Sequence, residues 1–276
     1  EGHSVEVYDL FCGAGGFSEG ARQAGCRVVF ACDVDEDAID VHKANHPEAI
    51  HWHCSLPRED LPFPRDGRHF HVHGSPPCQD LSLAGKRESS SIHSACDLVE
   101  WFVNTALASG ASTWSMEQVA SRHVIKLLET IKKTHRDKLS FAVFNFADLG
   151  VPQTRKRLLA GTPWLIASLL RKMSRCERVS VADAIPNPRG THVRGILFHK
   201  GYRPMRADER TTKRGSRNVF KRAGWGETCV PITTQGPTIV AGRNSGWWIR
   251  FEGGRTVRSV LSPTDVALLQ TFPSQV

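Results

Sequence analysis

Short hydrophobic stretches alternate with helix-like segments through the first 150 residues of the chain, and this alternation strongly limits the possible folds. Strands are predicted at 5–11, 28–35, 69–74, 112–119 and 139–146. Helices are predicted at 17–24, 36–46, 96–109 and 121–135. Strands that alternate with helices favour an α/β fold with a doubly wound, mostly parallel sheet.

The composition of the sequence changes from about residue 165, where Pro and Gly become frequent and the hydrophobic periodicity fades. Residues 186–258 contain 15 Lys and Arg against 4 Asp and Glu, although the whole chain carries only +8. These basic residues alternate with Gly, Trp and Thr, which favours a nucleic-acid surface over a merely solvated face. The sequence therefore predicts a main domain over 1–164, a smaller basic domain over 165–257, and a helix in 258–276 that returns to the main domain.

Composition narrows the class of protein further. Hydrophobic residues make up 40% of the chain, as in soluble globular proteins. We find no apolar run near the roughly 18 residues that a membrane span needs, and no signal-peptide pattern. The eight cysteines form no C-x-x-C pair, which favours free thiols in a reducing, intracellular compartment. The histidines near positions 51 and 71 lack zinc-ligand spacing, so no metal site is expected.

A glycine-rich turn, CGAGG, follows the first predicted strand and precedes a predicted helix. Glycines at such a turn let backbone amides approach a ligand at the start of a helix, and a carboxylate from the second strand can bind ribose hydroxyls. Asp33 and Asp35 lie about twenty residues beyond the turn, as this arrangement requires. The glycine spacing does not match G-x-G-x-x-G, which counts against a nicotinamide dinucleotide.

The stretch HGSPPCQDLS, residues 73–82, places Cys78 directly after two prolines. Proline fixes φ and removes a backbone donor, so this segment can continue neither a helix nor a central strand. A stiff segment of this kind suits a nucleophile held in one place, but it also suits an ordinary tight turn. These residues alone leave both interpretations open.

Five blocks taken together carry a resemblance. DLFCGAGGFSEG, GSPPCQDLSLAGK, MEQV, QTRKR and RSVLSPTDVALLQTFP occur in this order along nearly the whole chain. The chain resembles the DNA (cytosine-5)-methyltransferases. The resemblance implies the methyltransferase sheet, a target-recognition domain at 165–257, duplex DNA as substrate, a role in restriction–modification, and a location in a bacterial or phage-infected cytoplasm or a nucleus.

The resemblance also implies a set of catalytic residues. Cys78 matches the nucleophile that adds to cytosine C6, for which a thiolate is well suited because it later leaves easily. Glu117 matches the acid that holds the protonated N3 of the base. Arg157 is expected near the base oxygen, and Arg155 near the adjacent loop or a phosphate. Reaction within a duplex requires the base to be flipped out, at a cost of roughly a few kcal/mol.

The cofactor implied by the resemblance is S-adenosylmethionine. Asp33 is expected on the ribose and Leu98 at a backbone or apolar cofactor contact. The complete set of expected cofactor residues is Phe11, Gly13, Gly15, Gly16, Asp33, Val34, Pro76 and Leu98. Three tryptophans of the basic region, at 225, 247 and 248, are candidates either for DNA contacts or for packing within that lobe.

Several departures from the family pattern leave alternatives open. The family's Glu-Asn-Val reads Glu117-Gln118-Val119, Ser55 stands where an acidic residue is usual, the Asp-x-Arg usually ahead of Leu98 is absent, and no Gly-Asn block follows Phe272-Pro273. The missing block implies a shortened chain, a second polypeptide that supplies it, or a degenerate copy. The alternatives are an RNA (tRNA) cytosine-5 methyltransferase, although its CFT-type block is absent, and a catalytically weak DNA-binding relative.

Overall fold

The computed structural model describes residues 4–77 and 89–185, with side chains from residue 95 in the second range, and beyond them the backbone of six short strands. The chain forms two compact units. One comprises Glu1–Phe144 and Lys156–Arg171, and the other comprises Asn145–Arg155 and Lys172–Val276. Within the described ranges, no helix is long and apolar enough to cross a membrane.

The first unit contains seven strands. They are β1 Glu6–Leu10, β2 Arg27–Asp33, β3 Ile50–His53, β4 Phe70–Gly74, β5 Thr113–Gln118, β6 Ser140–Asn145 and β7 Lys156–Gly161. The helices are α1 Gly16–Gln23, α2 Glu36–Asn45, α3 Ser89–Ala108, α4 Arg122–Thr134 and α5 Pro163–Met173. All nine elements predicted within residues 1–164 are present. The sequence analysis missed β3, β7 and α5, and it began α3 seven residues too late, since the helix starts at Ser89 instead of 96.

The strands form one sheet in the order β3-β2-β1-β4-β5-β7-β6. Strands β3, β2, β1, β4 and β5 pair in parallel, and β7 pairs antiparallel to β5. This confirms the doubly wound, mostly parallel α/β fold. The strand order reverses between β1 and β4, and in open α/β sheets ligands bind outside the carboxyl ends of the strands at such a reversal.

Alternating side chains of the strands fill two hydrophobic layers, one on each face of the sheet. Tyr8 and Leu10 face the larger layer, which α3 and α4 complete, whereas Val7 packs with Ala21 of α1 on the other face. Strand β2 contains a bulge, because Val7 pairs with Val28 while Tyr8 pairs with Phe30. The bulge brings Phe30 into the same layer as Tyr8.

Helix α3 packs tightly where β1 and β4 end. A Cβ on Gly74, the last residue of β4, would lie 2.2 Å from Cε2 of Phe102, so this position accepts only glycine in the present packing. The neighbouring Trp101 makes an edge-to-face contact with Phe11, with ring centroids 6.2 Å apart. One helix thus supports both strands that flank the reversal point.

In the second unit, the described backbone includes a four-stranded antiparallel sheet in the order β11-β8-β12-β13 and a two-stranded pair of β9 with β10. The strands are β8 His192–Gly195, β9 Arg203–Pro204, β10 Phe220–Lys221, β11 Cys229–Pro231, β12 Gly246–Glu252 and β13 Arg255–Val260. These strands belong to the basic region predicted to contact nucleic acid. Trp247 and Trp248 lie in β12, while Trp225 lies outside the described residues. The predicted return helix also lies outside them, apart from 258–260 in β13.

Candidate active site

The glycine-rich turn after β1 is built from left-handed backbone conformations. Phe11, Gly13 and Gly15 have φ of 57°, 52° and 97°. Among the described residues, Phe11 is the one non-glycine residue with positive φ, a conformation that costs of order 1–3 kcal/mol and is concentrated at functional sites. A Cβ on Gly15 would lie 3.1 Å from Cδ2 of His42, so the turn packs closely on α2 and leads directly into α1 at Gly16.

Asp33, at the end of β2, braces this turn. Its Oδ2 accepts a 2.8 Å hydrogen bond from the Gly13 amide, and its Oδ1 accepts one of 3.0 Å from the amide of Asp35. Asp35 in turn accepts a hydrogen bond from the Ala38 amide and caps α2. Each carboxylate oxygen of Asp33 keeps a second lone pair. The residue expected to bind ribose therefore also fixes the shape of the glycine turn.

The residues around the turn fit a nucleoside-containing cofactor. A Cβ on Gly13 would meet no atom within 4 Å, so the backbone there is open to a ligand. The Asp33 carboxylate is partly buried and can accept hydroxyl protons, and the adjacent Val34 is 63% exposed, as suits an apolar surface for a flat ring. All three groups lie at the carboxyl edge of the sheet, which is where the fold predicts a ligand.

The other predicted cofactor residues lie on neighbouring elements of the same unit. Pro76 is buried just beyond β4, and Leu98 is half-buried on α3, the helix that also contacts Phe11 through Trp101. Glycines 15 and 16 are the N-cap and first residue of α1.

The segment that leads to the predicted nucleophile is described as far as Pro77, and Cys78 itself lies outside the described residues. The Ser75 amide donates a 3.2 Å hydrogen bond to the Leu10 carbonyl. The Pro76 carbonyl accepts one of 3.0 Å from Nε2 of Gln118. The backbone just before Cys78 is thereby attached to both β1 and β5.

Gln118 accommodates its departure from the family's asparagine by folding back on itself. Its Oε1 accepts a 2.7 Å hydrogen bond from the adjacent Val119 amide while Nε2 still reaches Pro76. The side chain is 1% exposed, so both polar ends are satisfied inside the protein, as a buried amide requires. The longer side chain thus retains a hydrogen bond to the segment before Cys78.

Glu117 and Arg157 form an ion pair between β5 and β7. Nε of Arg157 lies 2.8 Å from Oε1 of Glu117, and the two side chains are 17% and 23% exposed. Antiparallel pairing places Glu117 opposite Leu159, two residues beyond Arg157 on the same face. The structure therefore brings together the predicted acid and one predicted arginine.

Arg155 belongs to the second compact unit. Its amide donates to Oδ1 of Asn145, at 3.1 Å, and its carbonyl accepts from the amide of Phe146, at 2.9 Å. Both bonds fix the backbone next to the short 3₁₀ helix Phe146–Leu149.

A buried polar chain beneath the glycine turn was not anticipated from the sequence. The Ser18 hydroxyl donates to Oδ2 of Asp9 at 2.7 Å, Nε2 of His42 lies 3.0 Å from the same hydroxyl, and Nδ1 of His42 lies 2.8 Å from Nε2 of His51. Burial raises the pKa of Asp9 to about 7 and lowers that of His42 to about 4. The sequence signal for a buried acid was the position of Asp9 between Tyr8 and Leu10 in a hydrophobic strand.

Comparison with known proteins agrees with this geometry. The sheet order, the glycine turn and the carboxylate at the end of β2 define an α/β domain of the methyltransferase type. The model of the family "C-5 cytosine-specific DNA methylase" matches residues 5–161. The chain belongs to the C-5 cytosine-specific DNA methylase family.

The similarity to individual relatives extends over different shares of their length. The chain is 31% identical over 214 residues to the type II methyltransferase M.HindV of Haemophilus influenzae, covering 70% of this chain and 69% of that protein. It is 41% identical over 93 residues to the type II methyltransferase M.AgeI of Thalassovita gelatinovora, covering 30% of this chain and 21% of that one. A crystal structure of a candidate DNA modification methyltransferase from an E. coli prophage shares the fold, with a TM-score of 0.59 and 17% identity over 98% of this chain and 89% of that chain.

Proposed function

We propose that this protein transfers a methyl group from S-adenosylmethionine to C5 of cytosine in duplex DNA. The observation that carries the proposal is that two adjacent residues of β5, Glu117 and Gln118, are the predicted acid and the residue that holds the segment before Cys78. Glu117 forms an ion pair with Arg157, and Gln118 donates a hydrogen bond to the carbonyl of Pro76, two residues before Cys78. The predicted acid and the segment of the predicted nucleophile are thus attached to the same strand, at the edge of the sheet where the fold predicts a ligand.

The proposed reaction uses a covalent adduct. The Cys78 thiolate adds to C6 of the base, which gives C5 the electron density needed to take up a methyl group. Glu117 holds N3 as charge develops on the ring, and Arg157 orients Glu117 and lies toward the base oxygen. Loss of the C5 proton then lets the thiolate leave. The target base is flipped out of the duplex for this reaction.

When bound, S-adenosylmethionine supplies the electrophilic methyl group. The residues proposed to hold it are those predicted from the sequence: Phe11, Gly13, Gly15, Gly16, Asp33, Val34, Pro76 and Leu98. Asp33 has the clearest basis for a role, because its hydrogen bond to Gly13 places a carboxylate with free lone pairs beside open glycine backbone.

DNA binding is proposed for the basic region within 165–257, with 1–164 as the catalytic part and 258–276 returning to it. Phosphate contacts from its Lys and Arg would supply affinity, and base contacts would supply sequence choice. The names of the relatives place them in type II modification, so we propose a restriction–modification role in a bacterial or phage-infected cytoplasm. The comparisons offer no support for a nuclear location or for a second chain, and the proposal includes neither.

The proposal is tested by methyl transfer to two nucleic acids. The protein is incubated with S-adenosylmethionine carrying a tritiated methyl group and either plasmid DNA free of cytosine methylation or unmodified tRNA. We expect label in DNA, recovered as 5-methylcytosine after digestion, and none after Cys78→Ser. Transfer to tRNA alone would instead establish the RNA reaction, and cofactor binding without any transfer would mark an inactive relative. Cys26→Ser, a half-buried thiol outside the proposed site, is the matched control and should retain activity.

A further inference from the structure

Five polar side chains form a continuous row between β4 and β5. Along the row, each hydrogen bond is 2.7–3.1 Å long. The members in order are Thr113, His71, Ser115, His73 and Ser75. The row begins on the first residue of β5 and ends on the first residue beyond β4, in the segment that leads to Cys78.

The donor and acceptor roles of neighbouring members of the row depend on one another. A neutral imidazole donates from one nitrogen and accepts at the other, and a hydroxyl has one proton to share. Burial lowers the pKa of His71 to about 4 and that of His73 well below its ordinary value, so both rings are neutral at physiological pH. Because Ser115 has a single hydroxyl proton, it donates to at most one of the two rings and accepts from the other.

His73 connects this row to the cofactor turn. Its ring stacks on that of Phe17 with centroids 3.5 Å apart and an angle of 8° between the planes. Phe17 is the second residue of α1 and directly follows Gly15 and Gly16. Nε2 of the same imidazole lies 3.1 Å from the Ser75 hydroxyl. One buried side chain therefore touches the helix that starts at the glycine turn, strand β5 and the segment before Cys78.

Ser75 needs such an anchor because the next two residues cannot hold the backbone by amide hydrogen bonds. Pro76 and Pro77 have no amide proton, so the segment is held by the Ser75 amide, the Pro76 carbonyl and the Ser75 hydroxyl. The hydrogen bond between the Ser75 hydroxyl and His73 connects the segment to α1 at the glycine turn, because His73 stacks on Phe17.

We propose that His73 is a positioning residue, which holds Ser75 so that the segment carrying Cys78 is aligned with the cofactor turn and with Glu117. This inference rests on the proposed function, since the reaction needs the three groups in register. Displacement of about 1 Å in such an arrangement can cost up to about a hundredfold in rate.

Matched substitutions separate the Ser75 bond from the rest of the row. The amide of His73→Gln reaches the position of Nε2 and can keep the bond to Ser75, whereas that of His73→Asn reaches only the position of Nδ1 and keeps the bond to Ser115. Ser75→Ala removes the same bond from the other side. Thr113→Val removes the hydrogen bond between Thr113 and His71 at the other end of the row and is the control.

The first measurement is kcat and KM for S-adenosylmethionine on unmethylated plasmid DNA. We expect His73→Asn and Ser75→Ala to lower kcat about tenfold with KM changed less than about twofold. His73→Gln and Thr113→Val should retain kcat within about threefold. If Thr113→Val is as slow as Ser75→Ala, or if His73→Gln is as slow as His73→Asn, the row has a structural role only and the proposal is wrong.

The second measurement does not depend on activity. Hydrogen exchange of the peptide 73–77 reports the Gly74 and Ser75 amides, because its first residue has a free amine after cleavage and both prolines lack an amide proton. We expect faster deuterium uptake in His73→Asn and Ser75→Ala, and no change in His73→Gln and Thr113→Val. Equal uptake in all variants would overturn the positioning role. If the wild type transfers no methyl group while uptake follows this pattern, the proposed reaction fails and the anchoring of Ser75 by His73 stands.

Discussion

Gly74→Ala is expected to destabilise the protein because of one specific clash. The new Cβ would lie 2.2, 2.5 and 2.7 Å from three ring atoms of Phe102. The Phe102 ring is fully buried and meets Trp114 edge-to-face, with centroids 6.4 Å apart, so it has little room to move. Relief requires a shift of more than about 1 Å, because carbon atoms pack at about 3.5–4.0 Å.

Overpacking of this kind typically costs about 1–3 kcal/mol, and three simultaneous contacts place Gly74→Ala near the upper end, at about 3 kcal/mol. A smaller side chain at position 102 should relieve the clash. Phe102→Leu alone should cost about 1–2 kcal/mol, and the double variant should be more stable than the sum of the two changes predicts by at least about 1 kcal/mol.

Urea unfolding of the wild type, both single variants and the double variant measures these free energies. Gly20→Ala is the matched control, because a Cβ there meets no atom within 4 Å on the exposed side of α1. It should raise the free energy of unfolding by about 0.5–1 kcal/mol through helix propensity. A Gly74→Ala variant within about 0.5 kcal/mol of the wild type, or strict additivity in the double variant, would refute the packing argument.

Three further predictions concern the site and its support. Arg157→Lys should lower methyl transfer at least about tenfold, because an ammonium group lacks the planar guanidinium that orients Glu117. It should change stability by less than about 1 kcal/mol in thermal unfolding, because lysine keeps a positive charge beside Glu117; equal activity would contradict the orienting role. Gln118→Ala leaves a buried carbonyl without its donor and should cost about 1–3 kcal/mol in urea unfolding together with a lower kcat. Stability should depend on pH through two groups with opposite effects. Burial lowers the pKa of His71 to about 4, so its contribution makes the free energy of unfolding fall by about 3 kcal/mol as the pH drops from 6.5 to 4. Burial raises the pKa of Asp9 to about 7, so its contribution makes the free energy of unfolding fall as the pH rises from 4 to 7. His42 and His73 also have lowered pKa values, so His71→Gln should reduce the loss of stability toward pH 4 by about 3 kcal/mol and leave their contribution, while Asp9→Asn should remove the opposite contribution. Unfolding measured across this range tests both variants, and an unchanged profile in either one would contradict the assignment.

Periodicity located five of the seven strands and missed β3 and the antiparallel strand β7. The strands β1, β2, β4 and β5 are hydrophobic enough to be predicted from their pattern. Strand β7 begins Lys-Arg, so its first residues resemble a loop, and its insertion beside β5 depends on pairing that local sequence does not encode. The family resemblance placed Arg157 near the base oxygen, but its contact with Glu117 was not predicted.

The finer structure of the site depended on packing between distant residues. The family resemblance pointed to Asp33 as a cofactor residue, but its hydrogen bond to Gly13 required the two chain segments to meet. The adjustment of Gln118 depends on the direction in which a longer side chain folds, which composition does not determine. His71 and His73 lie two residues apart in a predicted strand and so share one face, but the hydroxyls of Thr113 and Ser115 that contact them come from β5.

The proposed reaction requires Cys78 to form a covalent bond with cytosine during methyl transfer. The most direct test uses a long DNA duplex synthesised with 5-fluorocytosine, which presents many sequence contexts, together with S-adenosylmethionine. Fluorine at C5 prevents the final elimination, so the enzyme should remain attached to DNA and migrate as a shifted band on a denaturing gel. We predict this band for the wild type and for Cys26→Ser and its loss in Cys78→Ser. A band that persists in Cys78→Ser, or no band with duplexes that the wild type binds, would contradict a covalent role of Cys78.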